Sequence, residues 1–207
     1  MNKQTLLINT ALALFYKKGI HAVGINEVLA QSGVAKKTLY HYFDSKNALI
    51  LACVIERDAR FMAWLTKHCA DKASMTEFIE DLFSALDDWI NNKALSLGDF
   101  NGCFFVNAAA EYSDENNQIH QQCLLHKSHV RDFIDQQLKL FKVAAKSNTN
   151  AVDNSHTKQL NRCNQSNQMT ELLMLLKEGC INCAFVFGDK QAAQRAKLLA
   201  LQFVSGY

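Results

Sequence analysis

The sequence predicts an all-α protein, with a small three-helix head followed by a larger helical body. Three observations predict it. Apolar residues recur at helical spacing along the chain, beginning with Leu7, Ala11, Leu14 and Phe15 at i, i+4, i+7 and i+8. No strand-like alternation and no internal repeat stands out. The 207 residues contain no proline, which would break helix interiors, so long helices are permitted.

The stripe from Leu7 places a first helix over about 4–18. Lys17 and Lys18 close it, where cations suit the helix dipole, and Gly19 is expected as a left-handed cap. A second helix is expected from about Ile25 to Ser32, with Val28 and Leu29 inward and Gly33 ending it. A third runs from about Lys36 to Phe43, with Leu39 and Phe43 on one face. Asp44 and Ser45 are N-cap residues for a long fourth helix, from Lys46 to about His68. Further helices are expected over about 75–93, 103–112, 117–145, 169–187 and 189–204. Leu97–Gly102 reads as a loop. The stretch 146–168 is rich in Asn, Ser, Gln and Thr and is expected to be a mobile loop. The domains are then 1–47 and 48–207.

Composition narrows the class. An apolar fraction of 49% and a charged fraction of 20% are ordinary for a soluble globular chain. No stretch approaches the roughly 18 consecutive apolar residues of a membrane span. The N-terminus lacks the apolar core and cleavage site of a secretory signal. A cytoplasmic protein with no membrane partner is expected. The seven cysteines, Cys53, Cys69, Cys103, Cys123, Cys163, Cys180 and Cys183, are odd in number and scattered, which fits a reducing compartment. Residues 1–47 hold six basic side chains against two acidic ones. That head carries +4 and the remaining 160 residues −2, a distribution suited to a local phosphate-binding surface.

The second and third helices, joined by a Gly turn, match a helix-turn-helix. The outward residues of the third are Lys36, Lys37, Thr38, Tyr40, His41 and Tyr42. Their cations, hydroxyls and ring donors can reach phosphates and base edges, while Leu39 and Phe43 hold the helix to its domain. Leu14-Phe15 with Gly19, then Gly33-Val34, Thr38-Leu39-Tyr40-His41-Tyr42-Phe43 and Ser45-Lys46 together resemble the TetR family of bacterial repressors. The resemblance covers about the first 50 residues. It implies that Lys36 and Lys37 open the recognition helix near bases or phosphates and that Thr38 binds phosphate. It puts Tyr40 and His41 in the major groove, Tyr42 and Lys46 on the backbone, and Asn26 where some members reach a base. Gly24 and Ala35 depart from the pattern, since many members carry a capping or phosphate-binding hydroxyl there.

The resemblance also implies that the body binds a small-molecule inducer and forms a homodimer through about 169–204. Leu172, Leu173, Leu175, Leu176 and Phe185 on one helix, and Ala192, Ala193, Ala196, Leu199, Ala200 and Phe203 on the next, suit a four-helix interface. Such a dimer would read a near-palindromic double-stranded operator. Phe61, Trp64, Phe78, Phe83, Trp89, Phe104 and Phe105 are candidates for an apolar pocket, with Asn107, Glu111 and His126 as polar contacts. The competing reading of those aromatics is ordinary core.

Cys180-Ile-Asn-Cys183 is a CxxC outside any βαβ context, and two buried apolar residues is its simpler reading. No metal set and no cofactor loop is recognisable. The expected function is a ligand-responsive repressor. The alternative is a repressor that senses oxidants or electrophiles through cysteine. A helical enzyme, using Glu111 or Cys103 with His126, lacks any recognisable triad, so no catalytic residue is assigned and no enzyme is expected.

Overall fold

The computed structural model describes the backbone of residues 2–147 and 156–205, and their side chains outside 142–166. Among the described residues the regular structure is helical. The helices are α1 (Lys3–Lys18), α2 (Ile25–Ser32), α3 (Lys36–Tyr42), α4 (Lys46–Cys69), α5 (Met75–Ile90), α6 (Phe104–Glu111), α7 (Gln118–Ser147), α8 (His156–Phe187) and α9 (Ala192–Ser205). A short 3₁₀ turn covers Leu95–Leu97.

Local chemistry sets the ends of these elements. The Asn2 side chain accepts from the Thr5 amide at 2.8 Å and starts α1. Gly19 ends it, donating to the Phe15 carbonyl at 2.9 Å. Its backbone lies at φ 90°, ψ 152°, not in the expected left-handed helical region. That conformation is essentially restricted to glycine, and it sends the chain onward extended. Gly33 does adopt the left-handed conformation, at φ 66°, ψ 14°. Gly24 and Ala35, at the N-caps of α2 and α3, supply no side-chain cap. Ser45 caps α4 by accepting from the Ala48 amide at 3.1 Å. Ser74 Oγ accepts from the Glu77 amide at 3.2 Å while Glu77 accepts from the Ala73 amide at 2.9 Å, a reciprocal cap on α5.

Two further expectations need correction. Helix α5 stops at Ile90, not near residue 93. Asn92 takes φ 60°, which asparagine tolerates, and its side chain accepts from the Phe100 amide at 2.7 Å. The expected loop over 146–168 is also largely helical. Residues 146–147 complete α7 and residues 156–168 belong to α8; residues 148–155 lie outside the described residues. Gln, Lys and Arg are good helix formers. A polar stretch joined to an apolar helix extends it without a new nucleation cost.

The chain forms two compact units, one of residues 1–61 and 101–127 and the other of residues 62–100 and 128–207. In the first, α1 packs on α2 and α3. Leu7, Ala11, Phe15, Val28 and Leu39 are buried there, as are Leu49, Ile50 and Val54 of α4 and Phe104, Phe105 and Ala108 of α6. In the second, α5 packs on α8 and α9, and α8 on α9. Phe78, Leu82, Phe83 and Leu86 of α5 are buried, as are Ala192, Ala193, Ala196 and Ala200 of α9. Small residues let the helices approach closely. Lys190 donates to the Ile90 carbonyl at 2.9 Å and so closes the end of α5. No helix among the described residues is long and apolar enough to cross a membrane.

Gly33 isolates the cost of its backbone conformation, because a Cβ there would meet nothing within 4 Å. Gly33→Ala is expected to destabilise the protein by about 1–2 kcal/mol through φ alone, read from the urea midpoint at unchanged m-value.

Candidate nucleic-acid interface

Helix α3 presents most of its surface outward. Leu39 is its buried residue, and Val34 and Phe43 are buried on either side of the helix. Lys36, Lys37, Tyr40, His41 and Tyr42 are exposed, and Thr38 is half-buried. The rings of His41 and Tyr42 meet edge-on with centroids 5.1 Å apart. Asn26, near the start of α2, is exposed as well. The face therefore combines cations, hydroxyls and aromatic donors on one short helix held by a few apolar anchors.

Lys46 has a structural partner that the sequence did not reveal. Its ammonium donates to the Ile20 carbonyl at 2.9 Å and lies 5.9 Å from the centre of the Phe15 ring. An ammonium has three donors, so this bond leaves capacity for a phosphate.

The Ile20 amide is engaged from the other side. Glu111, at the end of α6, accepts from the amides of Ile20 at 2.8 Å and His21 at 2.6 Å. The His21 ring stands 3.0 Å from the same carboxylate and stacks on Tyr112 at 5.1 Å. Tyr112 donates to the Asn47 side chain at 3.3 Å. The loop between α1 and α2 is thus clasped between an anion on α6 and a cation on α4. Glu111, a candidate ligand contact by sequence, spends its carboxylate on this clasp.

The other residues considered for a ligand are divided between the units. Phe61, Phe104, Asn107, Glu111 and His126 lie in the first, and Trp64, Phe83 and Trp89 in the second. Phe104 meets Tyr16 edge-on at 5.9 Å, and the Asn107 side chain donates to the Asn101 carbonyl at 3.4 Å. His126 Nδ1 lies 2.7 Å from Asp58, while its ring stacks on Phe105 and meets Phe61 edge-on. In the second unit Trp64 and Trp89 lie 6.2 Å apart, and Phe100 meets Trp89 at 5.1 Å.

Arg57 and Asp58 escaped sequence reading. Both are buried. Their signal was present, since charged residues interrupt the stripe of Ile50, Val54 and Phe61 at core positions of α4. The Arg57 guanidinium lies over the Tyr16 ring at 4.6 Å. Burial lowers its pKa, an effect partly offset by Tyr16 and Cys103; arginine remains a cation even so. Tyr16 donates to the Gly102 carbonyl at 2.7 Å and accepts from the Asn101 amide at 3.0 Å. Lys127 was also missed, and it donates to Cys103 Sγ at 3.4 Å.

Comparison with known proteins places this head in a class. Residues 7–53 match the model of bacterial regulatory proteins of the tetR family. The Transposon Tn10 TetC protein of Escherichia coli is 34% identical over 91 residues, covering 43% of this chain and 46% of that protein. The HTH-type transcriptional regulator UidR of Escherichia coli strain K12 is 25% identical over 92 residues, covering 44% and 47%. The chain thus spans about half the length of the curated relatives it matches. A crystal structure of a TetR-family transcriptional regulator from Streptomyces coelicolor superposes with a TM-score of 0.76 at 25% identity, covering 98% of this chain and 93% of that one. One from Chloroflexus aurantiacus gives 0.76 at 18%, covering 98% and 94%. The head is a helix-turn-helix of the tetR type. Over residues 7–53 the chain is similar to the tetR family, and its fold resembles that of a TetR-family transcriptional regulator of known structure.

Glu111→Ala strips the partner from the part-buried Ile20 amide, and a buried donor left unsatisfied costs about 1–3 kcal/mol, so the lower end of that range is expected. The expected result is a loss of that size in urea unfolding, with hydrogen exchange accelerated at the Ile20 and His21 amides before the amides of α1. Unchanged protection at those two amides would rule out the clasp.

Proposed function

We propose that the protein is a sequence-specific DNA-binding transcriptional regulator, a repressor released from its operator by a small molecule. The observation that carries this reading is the face of α3, where the exposed Lys36, Lys37, Tyr40, His41 and Tyr42 stand on a helix anchored by Leu39. A head of charge +4 supports it, as does the similarity of residues 7–53 to bacterial regulatory proteins. Residues 1–47 act as the DNA-binding domain and the remainder as the regulatory body, in the cytoplasm.

In this reading α3 enters the major groove. Tyr40 and His41 meet base edges, and Asn26 approaches from α2. Thr38, Tyr42 and Lys46 hold phosphates, and Lys36 and Lys37 supply the cations that release counterions from DNA. Lys46 has a double duty, because the group that reaches phosphate also holds the Ile20 carbonyl. A phosphate contact there would be coupled to the position of the loop before α2.

Two copies are needed to read a near-palindrome, with half-sites about 34 Å or a multiple apart. Helices α8 and α9 supply the self-interface. Leu175, Phe185, Val186, Phe187, Leu198 and Leu199 are exposed on them, whereas Ala192, Ala193, Ala196 and Ala200 are buried within the unit. The leucines and phenylalanines, more than the alanines, would meet the second copy. An inducer lowers DNA affinity by preferring an arrangement in which the recognition helices lose this spacing. The aromatic residues of either unit are its candidate contacts.

Selection from random duplex DNA with the purified protein tests the reading. Enrichment of one palindromic motif is expected, and enrichment of none would refute sequence-specific dimeric binding. With the selected operator, Lys37→Ala should weaken binding to all sequences alike. It should flatten the salt dependence by about 0.9 for each phosphate no longer neutralised, hence roughly 2 for a dimer. His41→Ala should instead cost about 1–3 kcal/mol at one base position and relax specificity there.

A further inference from the structure

We propose that Glu111 is a positioning residue for DNA binding, acting through the peptide between Ile20 and His21 to hold the Lys46 ammonium where it meets a phosphate. This rests on the function proposed above. Lys46 opens α4, where the helix dipole repels a cation, so its own helix does not hold the ammonium in place. What holds it is the Ile20 carbonyl at 2.9 Å, with the Phe15 ring beside it. Ordering a flexible side chain at an interface weakens binding by roughly two- to tenfold. An ammonium already fixed in the free protein avoids that loss.

The ammonium is directed no better than the carbonyl it meets. Ile20 lies between α1 and α2, outside either helix. The Val23 amide reaches the Ile20 carbonyl at 3.4 Å, beyond the usual range of a strong hydrogen bond. Glu111 fixes the peptide from its other edge. Its Oε2 accepts from the His21 amide at 2.6 Å, and its Oε1 from the Ile20 amide at 2.8 Å. The Ile20 carbonyl and the His21 amide belong to one trans peptide and point in opposite directions. An anion and a cation therefore grip opposite edges of the same plane, and each bond polarises the other. Two successive amides need two acceptor oxygens, which a carboxylate supplies.

An independent tie brings the same end of α6 to α4. Tyr112, the C-cap of α6, donates to the Asn47 side chain at 3.3 Å and stacks on His21. Asn47 directly follows Lys46. The end of α6 thus holds both the loop and the first turn of α4 on which the phosphate contact depends.

The sign of the effect separates positioning from simple charge. An anion close to a phosphate-binding cation repels DNA, so neutralising it would strengthen binding if charge alone counted. Positioning demands the reverse.

Glu111→Gln keeps the side chain's length and leaves one acceptor oxygen for two amides. Binding of the full-length protein is measured by fluorescence anisotropy, on the selected operator and on an unrelated duplex, over a range of salt. Glu111→Gln is expected to weaken binding to both about tenfold, the product of roughly threefold from each subunit. It should flatten the salt dependence by roughly 2 for a dimer, as Lys46→Met does. Base preference, which belongs to α3, should stay unchanged. In the Lys46→Met background Glu111→Gln should cause no further loss, whereas a merely structural role would cost the same with or without Lys46. Thermal melts establish that each variant is folded. Unchanged or tighter binding in folded Glu111→Gln would overturn the proposal, as would an undiminished loss in the Lys46→Met background. Were Glu111→Gln unfolded, Tyr112→Phe, which cuts only the tie to Asn47, would be judged by the same outcomes. Wild-type protein that binds no DNA would refute the proposed function itself. Wild-type binding without coupling between Glu111 and Lys46 would refute the positioning role alone.

Discussion

The peptide of Ile20 is the point on which the geometry of the first unit depends. The Ile20 side chain is buried, and the residue lies between helices, where no regular ladder takes up its amide and carbonyl. A buried backbone group without a partner costs on the order of 1–3 kcal/mol. Both groups are met by charged side chains distant in sequence, the amide by Glu111 and the carbonyl by Lys46 at 2.9 Å, with the Val23 amide as its longer second donor at 3.4 Å. Charge-assisted bonds of this kind are about twice as strong as neutral ones. They set the direction in which the chain leaves α1 and enters α2. Gly19 makes this possible through its backbone alone, since a Cβ there would have room beside Glu111 but would be strained at φ 90°.

The same residues explain why α6 is so short yet well placed. Its entry is tied by Tyr16, whose hydroxyl donates to Gly102 and accepts from Asn101. Its exit is tied by Glu111. Both ties lead to the final turn of α1 or the loop that follows it. Arg57 over the Tyr16 ring and Asp58 against His126 fill the space behind with paired polar groups. Buried polar groups of this sort admit few alternative arrangements, because each misalignment leaves a charge without its partner.

The second unit works by a different economy. Its α5 is apolar on the face that meets α8 and α9, and the alanines of α9 bring the backbones close. The larger apolar residues of α8 and α9, such as Phe187 and Leu198, stay outside that packing. Apolar side chains left exposed along two neighbouring helices suit the self-association proposed above.

Much of this was legible in the sequence because it is governed by local rules. Periodicity at 3.6 residues located the helices from α1 to α6 within a few residues. Gly33 and Ser45 acted as cap and turn for reasons contained in their own side chains. The outward face of α3 followed from Leu39 and Phe43 being the apolar members of a short helix. Where local rules competed, the sequence was less decisive. The polar start of α8 looked like a loop because composition does not reveal that an adjoining apolar helix supplies the nucleus. The roles of Glu111, Lys46, Arg57 and Lys127 depended on tertiary structure alone. Each is a charged residue whose partner is 24 to 91 positions away or lies beneath it in the core. A charge carries no periodic signature of the group it will meet, and only the folded chain brings the two within hydrogen-bonding distance.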